Sequence, residues 1–199
     1  TTAHAVPGDS GGAMFDSQLE VLGMATAGST TWRSASYAVP IADALAGIRK
    51  GQVQLGSRVL ITGGGPVGLF CVQVAKAAGA TEIVLVEPQA GRRQLAAQLG
   101  AVTLTTLADH DLQYDVLLEC SGVEAVRIAG CRSVVSGGRV VMIGVGAEIA
   151  GIPMSAVIER EVTIHGVMRY QFTWPTVIAL LEAKKIDADI LVSRRLPFA

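Results

Sequence analysis

The chain has 199 residues, half of them hydrophobic, and its 16 basic and 17 acidic residues give a net charge of −1. That length is sufficient for one large domain or two small ones with a well-buried core. Because the charges are interspersed and form no basic block, we expect no binding to nucleic acid or to an anionic membrane. The apolar runs are shorter than the roughly 20 residues of a membrane span, and the opening residues TTAHAVPGDSGG do not resemble a signal peptide.

The cysteines also bear on the protein's environment. Cys71, Cys120 and Cys131 are odd in number and have no metal-type spacing. This pattern favours reduced thiols, and it predicts a cytoplasmic protein.

The first forty residues differ in pattern from the rest. Residues 13–15, 20–26 and 36–39 each predict a short strand, and such close spacing is typical of antiparallel β structure. Residues 41–50 then predict an amphipathic helix. We therefore divide the chain into a small β segment, 1–40, and a second domain, 41–199.

From Arg58 onward, predicted strands alternate with predicted helices. This alternation requires a parallel sheet with crossover helices, and six strands is the number in a Rossmann-type, doubly wound α/β fold. The predicted strands are 58–62, 82–87, 102–104, 114–120, 139–143 and 161–167, and the predicted helices are 66–78, 89–99, 124–135 and 173–183.

A glycine-rich turn joins the first of these strands to its helix. Gly63, Gly65 and Gly68 form the G-x-G-x-x-G pattern in the context that a dinucleotide-binding turn requires. Gly63 allows the tight turn, Gly65 allows close approach of a pyrophosphate, and Gly68 allows the helix to pack on the sheet. Glu87 ends the next predicted strand, 19 residues after Gly68. At this spacing, dinucleotide-binding domains have an acidic side chain that binds the ribose hydroxyls.

Four pieces of the second domain resemble the cofactor domain of medium-chain, zinc-type polyol dehydrogenases, the sorbitol, xylitol and arabinitol group. They are ALAGIRKGQVQLGSRVLITGGGPVGL, DVLLECSGVEA, GGRVVMIGVG and REVTIHGVMRYQFTWP, and the resemblance extends over residues 41–198. The resemblance implies an oxidoreductase lineage with NAD as cofactor and catalytic zinc. It places the pyrophosphate at Gly63, Gly65, Pro66, Val67 and Gly68, the adenosine ribose at Glu87, the cofactor cleft at Cys120, Ser121 and Gly122, and the nicotinamide end at Val145, Gly146, Arg169 and Tyr170.

The chain also departs from that group. The group carries its zinc ligands on an N-terminal catalytic domain, and its helix opens with Glu-Pro-Leu where this chain has Val39-Pro40-Ile41. None of the histidines and cysteines has zinc-ligand spacing, and His165, inside a predicted strand, is interpreted as structural. We therefore expect an NAD-binding domain without its zinc catalytic domain, chimeric or truncated in origin.

The sequence PGDSGG at residues 7–12 resembles the nucleophile loop of trypsin-like serine proteases, including the HtrA type. That resemblance implies Ser10 as a nucleophile. Hydrolysis also requires a histidine base and a carboxylate, which this family supplies from a barrel upstream of the serine. His4 lies too close along the same strand to act as that base, so Ser10 is predicted to be inert.

Three other interpretations remain open. In the first, the chain is a zinc-dependent polyol dehydrogenase that another chain completes. In the second, it is a serine hydrolase remnant with an active Ser10, and in the third it is a folded module without a ligand. Apolar surface left by a missing catalytic domain would favour self-association into a homo-oligomer.

Overall fold

A computed structural model describes residues 13–15, 21–24, 38–107, 113–168 and 172–191. Near the N-terminus, β1 (Ala13–Phe15) pairs antiparallel with β2 (Val21–Met24). These two strands agree with the antiparallel segment predicted there.

The second sheet has six strands: β3 (Arg58–Thr62), β4 (Glu82–Val86), β5 (Val102–Leu104), β6 (Tyr114–Glu119), β7 (Val134–Met142) and β8 (Thr163–Gly166). They are all parallel and lie in the order β5-β4-β3-β6-β7-β8. The chain runs outward from β3 to β5, then returns to the other side of β3 for β6. This is the doubly wound topology that strand–helix alternation predicted, and the fold class is confirmed.

Helices cover both faces of this sheet. They are α1 (Ala38–Gly51), α2 (Pro66–Ala77), α3 (Ala90–Gln98), α4 (Glu124–Arg132), α5 (Met154–Glu159) and α6 (Trp174–Glu182), followed by a 3-10 turn at Asp189–Leu191. Successive strand residues point to opposite faces, so Leu60 joins one buried cluster and Ile61 the other. Burial on both faces is why the central strands are apolar throughout.

Three sequence predictions differ from the structure. Residues 38 and 39 begin α1, although 36–39 was predicted as a strand. Helix α4 ends at Arg132 and β7 begins at Val134, whereas the helix was predicted to reach 135 and the strand to begin at 139. The short helix α5 was not predicted.

The early start of β7 has a physical cause. The helical pattern of α4 continues along the sequence through Val134. In the fold, however, Val134 is fully buried and pairs with Tyr114 of β6, and this burial favours a strand there. The register then shifts before Val116 pairs with Arg139. Gly137, with a φ of +72°, lies inside this irregular stretch and allows the backbone to distort within one continuous strand.

Among the helices in the part of the chain described above, none is both long enough and apolar enough to cross a membrane.

Candidate functional site

A cavity of about 620 Å³ lies at the carboxyl edge of the six-stranded sheet. It is next to the position where the chain reverses direction between β3 and β6, which is where open α/β sheets bind ligands. Its lining residues are Gly63, Gly65, Val86, Glu87, Pro88, Gln89, Arg92, Thr105, Thr106, Leu107, Cys120, Ser121, Val123, Ala125, Val126 and Ala129.

Two glycines of the loop after β3 are required by the fold itself. Gly63 has a φ of +91°, and a Cβ there would lie 3.0 Å from the backbone of Ser121. A Cβ on Gly68 would collide with the carbonyl oxygen of Gly63. Both positions therefore need glycine so that the loop can turn and α2 can approach it closely.

Gly65 is different, because nothing in the fold requires a glycine there. Its φ of −72° and ψ of 179° are accessible to any residue. A Cβ at Gly65 would meet no atom within 4 Å, and Gly65 lines the cavity. The missing side chain keeps open the space in front of the first turn of α2.

That first turn can bind an anion. No side chain caps α2, whose N-cap residue is Gly65, and the opening N–H groups of a helix have no acceptor within the helix. Pro66 at the start of the helix has no N–H to donate, which leaves Val67 and Gly68 as donors. The N-terminal end of the helix dipole adds partial positive charge.

Glu87, the residue that follows β4, is almost completely buried, with 4% of its surface exposed. Its Oε2 accepts a hydrogen bond from the Gly64 N–H at 2.7 Å, and its Oε1 accepts one from the Gln89 N–H at 2.9 Å. A Cβ on Gly64 would lie 2.9 Å from Cγ of Glu87. Gly64 is therefore a glycine because the carboxylate packs against it.

Two arginines follow Glu87 and have different roles. Arg93 Nη1 donates to the carbonyl oxygens of Glu87 at 2.8 Å and Pro88 at 2.6 Å, so this side chain fastens the local backbone. Arg92 lines the cavity, and its Nη1 lies 3.8 Å from Glu87 Oε2. Arg92 is thus the arginine placed to meet a bound anion.

Glu119 organises the neighbouring loop, and the sequence analysis did not identify it as a site residue. It is fully buried at the end of β6. Its Oε1 accepts hydrogen bonds from Ser121 N at 2.8 Å, Ser121 Oγ at 2.5 Å and Gly122 N at 2.9 Å, and its Oε2 lies 3.5 Å from Arg127 Nη2. The available signal was an acidic residue at the end of an otherwise apolar buried strand.

The structure brings together only part of the predicted set. Gly63, Gly65, Glu87, Cys120 and Ser121 all line the cavity. Sequence patterns did not predict two further parts of the lining, the residues after β5 and the apolar side chains of Val123 and α4. These are Thr105, Thr106, Leu107, Val123, Ala125, Val126 and Ala129.

Other predicted residues lie beside the cavity without lining it. Pro66, Val67 and Gly68 form the first turn of α2. Backbone atoms of Gly122 pack closely on Val145 and Gly146, and Val145 is 90% exposed. Ser10, Arg169 and Tyr170 lie outside the described residues.

A metal site is not assembled in this part of the molecule. Among the described residues, no three His, Cys, Asp or Glu side chains cluster as ligands. His165 lies in β8, where its Nε2 is buried without a hydrogen-bond partner. The described residues therefore do not fit a zinc centre.

The parallel sheet, its glycine turn and the cavity at the switch point define a dinucleotide-binding domain of the doubly wound class. Residues 66–183, more than half of the chain, match the family described as zinc-binding dehydrogenase. The chain therefore belongs to the zinc-binding dehydrogenase family.

Curated relatives agree with this assignment. The chain is 33% identical over 182 residues to sorbitol dehydrogenase of Homo sapiens, and 32% identical over 182 residues to that of Rattus norvegicus. Each alignment covers 85% of this chain and 51% of the relative. The chain thus spans about half the length of these relatives.

Solved structures show the same fold. The 2R,3R-butanediol dehydrogenase of Bacillus subtilis superposes with a TM-score of 0.75 at 26% identity, covering 96% of this chain and 64% of the other. A zinc-binding dehydrogenase of Sinorhizobium meliloti 1021, bound to NADP, also has a TM-score of 0.75 at 26% identity, covering 89% of this chain and 61% of the other.

Proposed function

We propose that this chain binds NAD in the cavity at the carboxyl edge of the sheet, as the cofactor domain of a polyol dehydrogenase lineage. The main support for this proposal is the glycine at position 65. Its backbone angles suit any residue and a Cβ would touch nothing, so the fold does not explain the glycine. A pyrophosphate approaching the backbone there does explain it.

The pyrophosphate, the adenosine ribose and the adenine each have a matching group in or beside the cavity. The N–H groups that open α2 bind the pyrophosphate, and the acidic Glu87 accepts hydrogen bonds from the adenosine ribose. Apolar side chains of α4 and Leu107 form a wall suited to the adenine. Bound NAD would act as a hydride acceptor, and these residues would hold and orient its adenosine diphosphate part.

The choice between NAD and NADP depends on Glu87 and Arg92. A buried carboxylate at the ribose repels a 2′-phosphate, which favours NAD. Arg93 cannot oppose this effect, because its guanidinium is bound to backbone carbonyl oxygens. Arg92 lines the cavity beside Glu87, and the Sinorhizobium protein is bound to NADP. We expect NAD to bind more tightly, because the Glu87 carboxylate is buried whereas the Arg92 side chain is half exposed to solvent, which weakens its charge.

Calorimetry and thermal melts test the proposal directly. NAD at about 100 times its Kd should stabilise the protein by about 2.7 kcal/mol, which raises Tm by about 5 to 10 °C for a chain of this size. The variant Gly65→Ala should bind NAD about tenfold more weakly or worse, because its methyl group occupies the pyrophosphate space. The same titration with NADP should give a higher Kd than with NAD.

Gly91→Ala is the matched control. A Cβ on Gly91 also meets nothing within 4 Å, but Gly91 is not among the residues that line the cavity. It should bind NAD normally, and Gly65→Ala should lose no more than about 1 kcal/mol of stability from its weaker helix cap. An unchanged Kd for NAD in Gly65→Ala would refute the proposed position of the pyrophosphate. If NAD neither binds to the wild-type protein nor raises its Tm, the proposal that this chain binds NAD is wrong.

We further propose that residues 1–40 are a protease-derived segment in which Ser10 is inert, so that the chain is chimeric. The support is the PGDSGG sequence together with the position of His4, which is too close to Ser10 along the sequence to act as its base. A fluorophosphonate probe, which labels activated serines, should leave Ser10 unmodified. Stoichiometric labelling that disappears in Ser10→Ala would instead establish a serine hydrolase.

A further inference from the structure

Two cysteines meet at the wall of the cavity. Cys71 lies on α2 and Cys120 follows β6, and their sulfur atoms are 3.8 Å apart although the residues are 49 positions apart in sequence. Both are free thiols. Their separation means that the two side chains point at each other across the junction of helix and sheet.

The two sulfurs differ in access. Cys71 is fully buried in the core cluster beneath α2, whereas Cys120 lines the cavity and is only partly buried. A small molecule that enters the cavity therefore reaches Cys120 first. Cys131, the remaining cysteine, is buried in the cluster on the opposite face of the sheet.

We propose that Cys71 and Cys120 form a reversible thiol–disulfide modification site, oxidised through the cavity by small two-electron oxidants such as hydrogen peroxide. The sulfurs need to approach from 3.8 Å to about 2.05 Å. Side-chain rotation, together with a small approach of α2 to the loop after β6, would supply this movement. The product would be a covalent link from α2, directly behind the glycine loop, to the loop that follows β6.

The reaction balances with peroxide as the only co-reactant. The Cys120 sulfur attacks one peroxide oxygen, the O–O bond breaks, and the departing hydroxide takes the Cys120 proton to give water and a sulfenic acid. The Cys71 sulfur then attacks the Cys120 sulfur and the S–O bond breaks. The second hydroxide takes the Cys71 proton and leaves as water, so two thiols are oxidised and one peroxide is reduced.

The surroundings of Cys120 make this reaction slow at neutral pH. The hydrogen bond with Cys71 and burial raise the pKa of Cys120 well above its usual value, and the nearby Glu119 and Asp43 carboxylates raise it further. The thiolate is the reactive form, so the oxidation rate should increase about tenfold per pH unit while the pH stays below that pKa.

Peptide mapping of the oxidised wild-type chain tests the proposal. Trypsin places the three cysteines on separate peptides, 59–76, 94–127 and 128–132. After hydrogen peroxide at mildly alkaline pH, peptides 59–76 and 94–127 should be recovered linked, with the intact mass lower by two hydrogen atoms. Free thiols should fall from three to one, and dithiothreitol should restore all three.

Two variants serve as controls. Cys131→Ala should form the same link, because Cys131 has no part in it. Cys71→Ala should not lose two hydrogen atoms, and a dimedone probe should trap the sulfenic acid of Cys120. Links that involve peptide 128–132, disulfides only between chains, or no oxidation of Cys120 would each overturn the proposal.

A separate arm uses the proposed cofactor. Saturating NAD should slow oxidation of Cys120 several-fold, because NAD would fill the cavity through which peroxide enters. This arm alone rests on the proposed function. If the link forms equally fast with and without NAD, the cofactor position is wrong and the thiol pair still stands.

Discussion

At the scale of single residues, two carboxylates have pKa values that are shifted in opposite directions. Asp43 on α1 is desolvated by burial, which raises its pKa from 3.8 to about 6. Burial also acts to raise the pKa of Asp115 on β6, but hydrogen bonds from Arg58 outweigh it and lower that pKa. Arg58 donates its backbone N–H at 2.8 Å and its Nη2 at 3.0 Å to this carboxylate.

Asp43→Asn should therefore stabilise the protein at neutral pH. Because the folded-state pKa is raised, wild-type stability falls as pH rises from about 4 through about 6, where Asp43 loses its proton in the folded state. The full shift corresponds to about 3 kcal/mol, which partial exposure should reduce to about 1 kcal/mol. Urea unfolding of both proteins from about pH 4 to about pH 8 measures the difference.

Asp115→Asn is the control with the opposite sign. Its lowered folded-state pKa contributes stability that is present at neutral pH and is lost as the pH falls through that value. The variant should be less stable than wild type near neutral pH, and the gap should narrow in acid. An Asp43→Asn gain that is the same at every pH would show that desolvation is not its cause.

At the scale of the elements, β7 is the strand that deviates most from regular pairing. Its register with β6 shifts beyond Val134, and Gly137 adopts a φ of +72° within the strand while its N–H donates to the Arg160 carbonyl at 2.7 Å. A positive φ is strained for a residue with a side chain. Gly137 therefore allows β7 to begin at Val134 and still bring Arg139 into register with Val116 of β6.

Gly137→Ala should destabilise the protein by about 1 to 2 kcal/mol. Gly166→Ala in β8 is the matched control, because a Cβ at either position meets nothing within 4 Å and only Gly137 has a positive φ. The control should be neutral or slightly stabilising, since alanine reduces the entropy of the unfolded chain. Equal effects of both substitutions on the free energy of unfolding would exclude backbone strain as the reason for Gly137.

At the scale of the whole molecule, several predictions await experiment. The domain boundary at residue 40, the cytoplasmic location and homo-oligomer formation stay predictions. Large apolar side chains are exposed in the described part of the chain after β7, among them Ile149, Met154 and Ile158. Such side chains are consistent with a protein surface that packs on another domain or subunit.

We predict that this chain binds NAD but does not oxidise polyols alone. Hydride transfer from a polyol requires stabilisation of the alkoxide, which zinc supplies in the polyol dehydrogenases, and the histidine and cysteine spacing here matches no zinc site. Loss of even one electrostatic donor costs about 10²- to 10³-fold in rate. Sorbitol and xylitol with NAD and added zinc, followed by absorbance of the reduced cofactor, provide the assay. Robust zinc-dependent turnover would contradict the prediction.

The amino-acid sequence by itself determined the features that are encoded locally. The glycine turn, the strand–helix alternation and Glu87 at the end of β4 are patterns within short segments, so periodicity and spacing predicted the six-stranded sheet and one edge of the cavity. Only the tertiary structure decided the role of Glu119 and the different roles of the neighbouring Arg92 and Arg93. It also decided where β7 begins and that the Cys71 and Cys120 sulfur atoms lie close together. These depend on which strands are neighbours and on burial between segments distant in sequence, and a pattern along one segment does not contain that information.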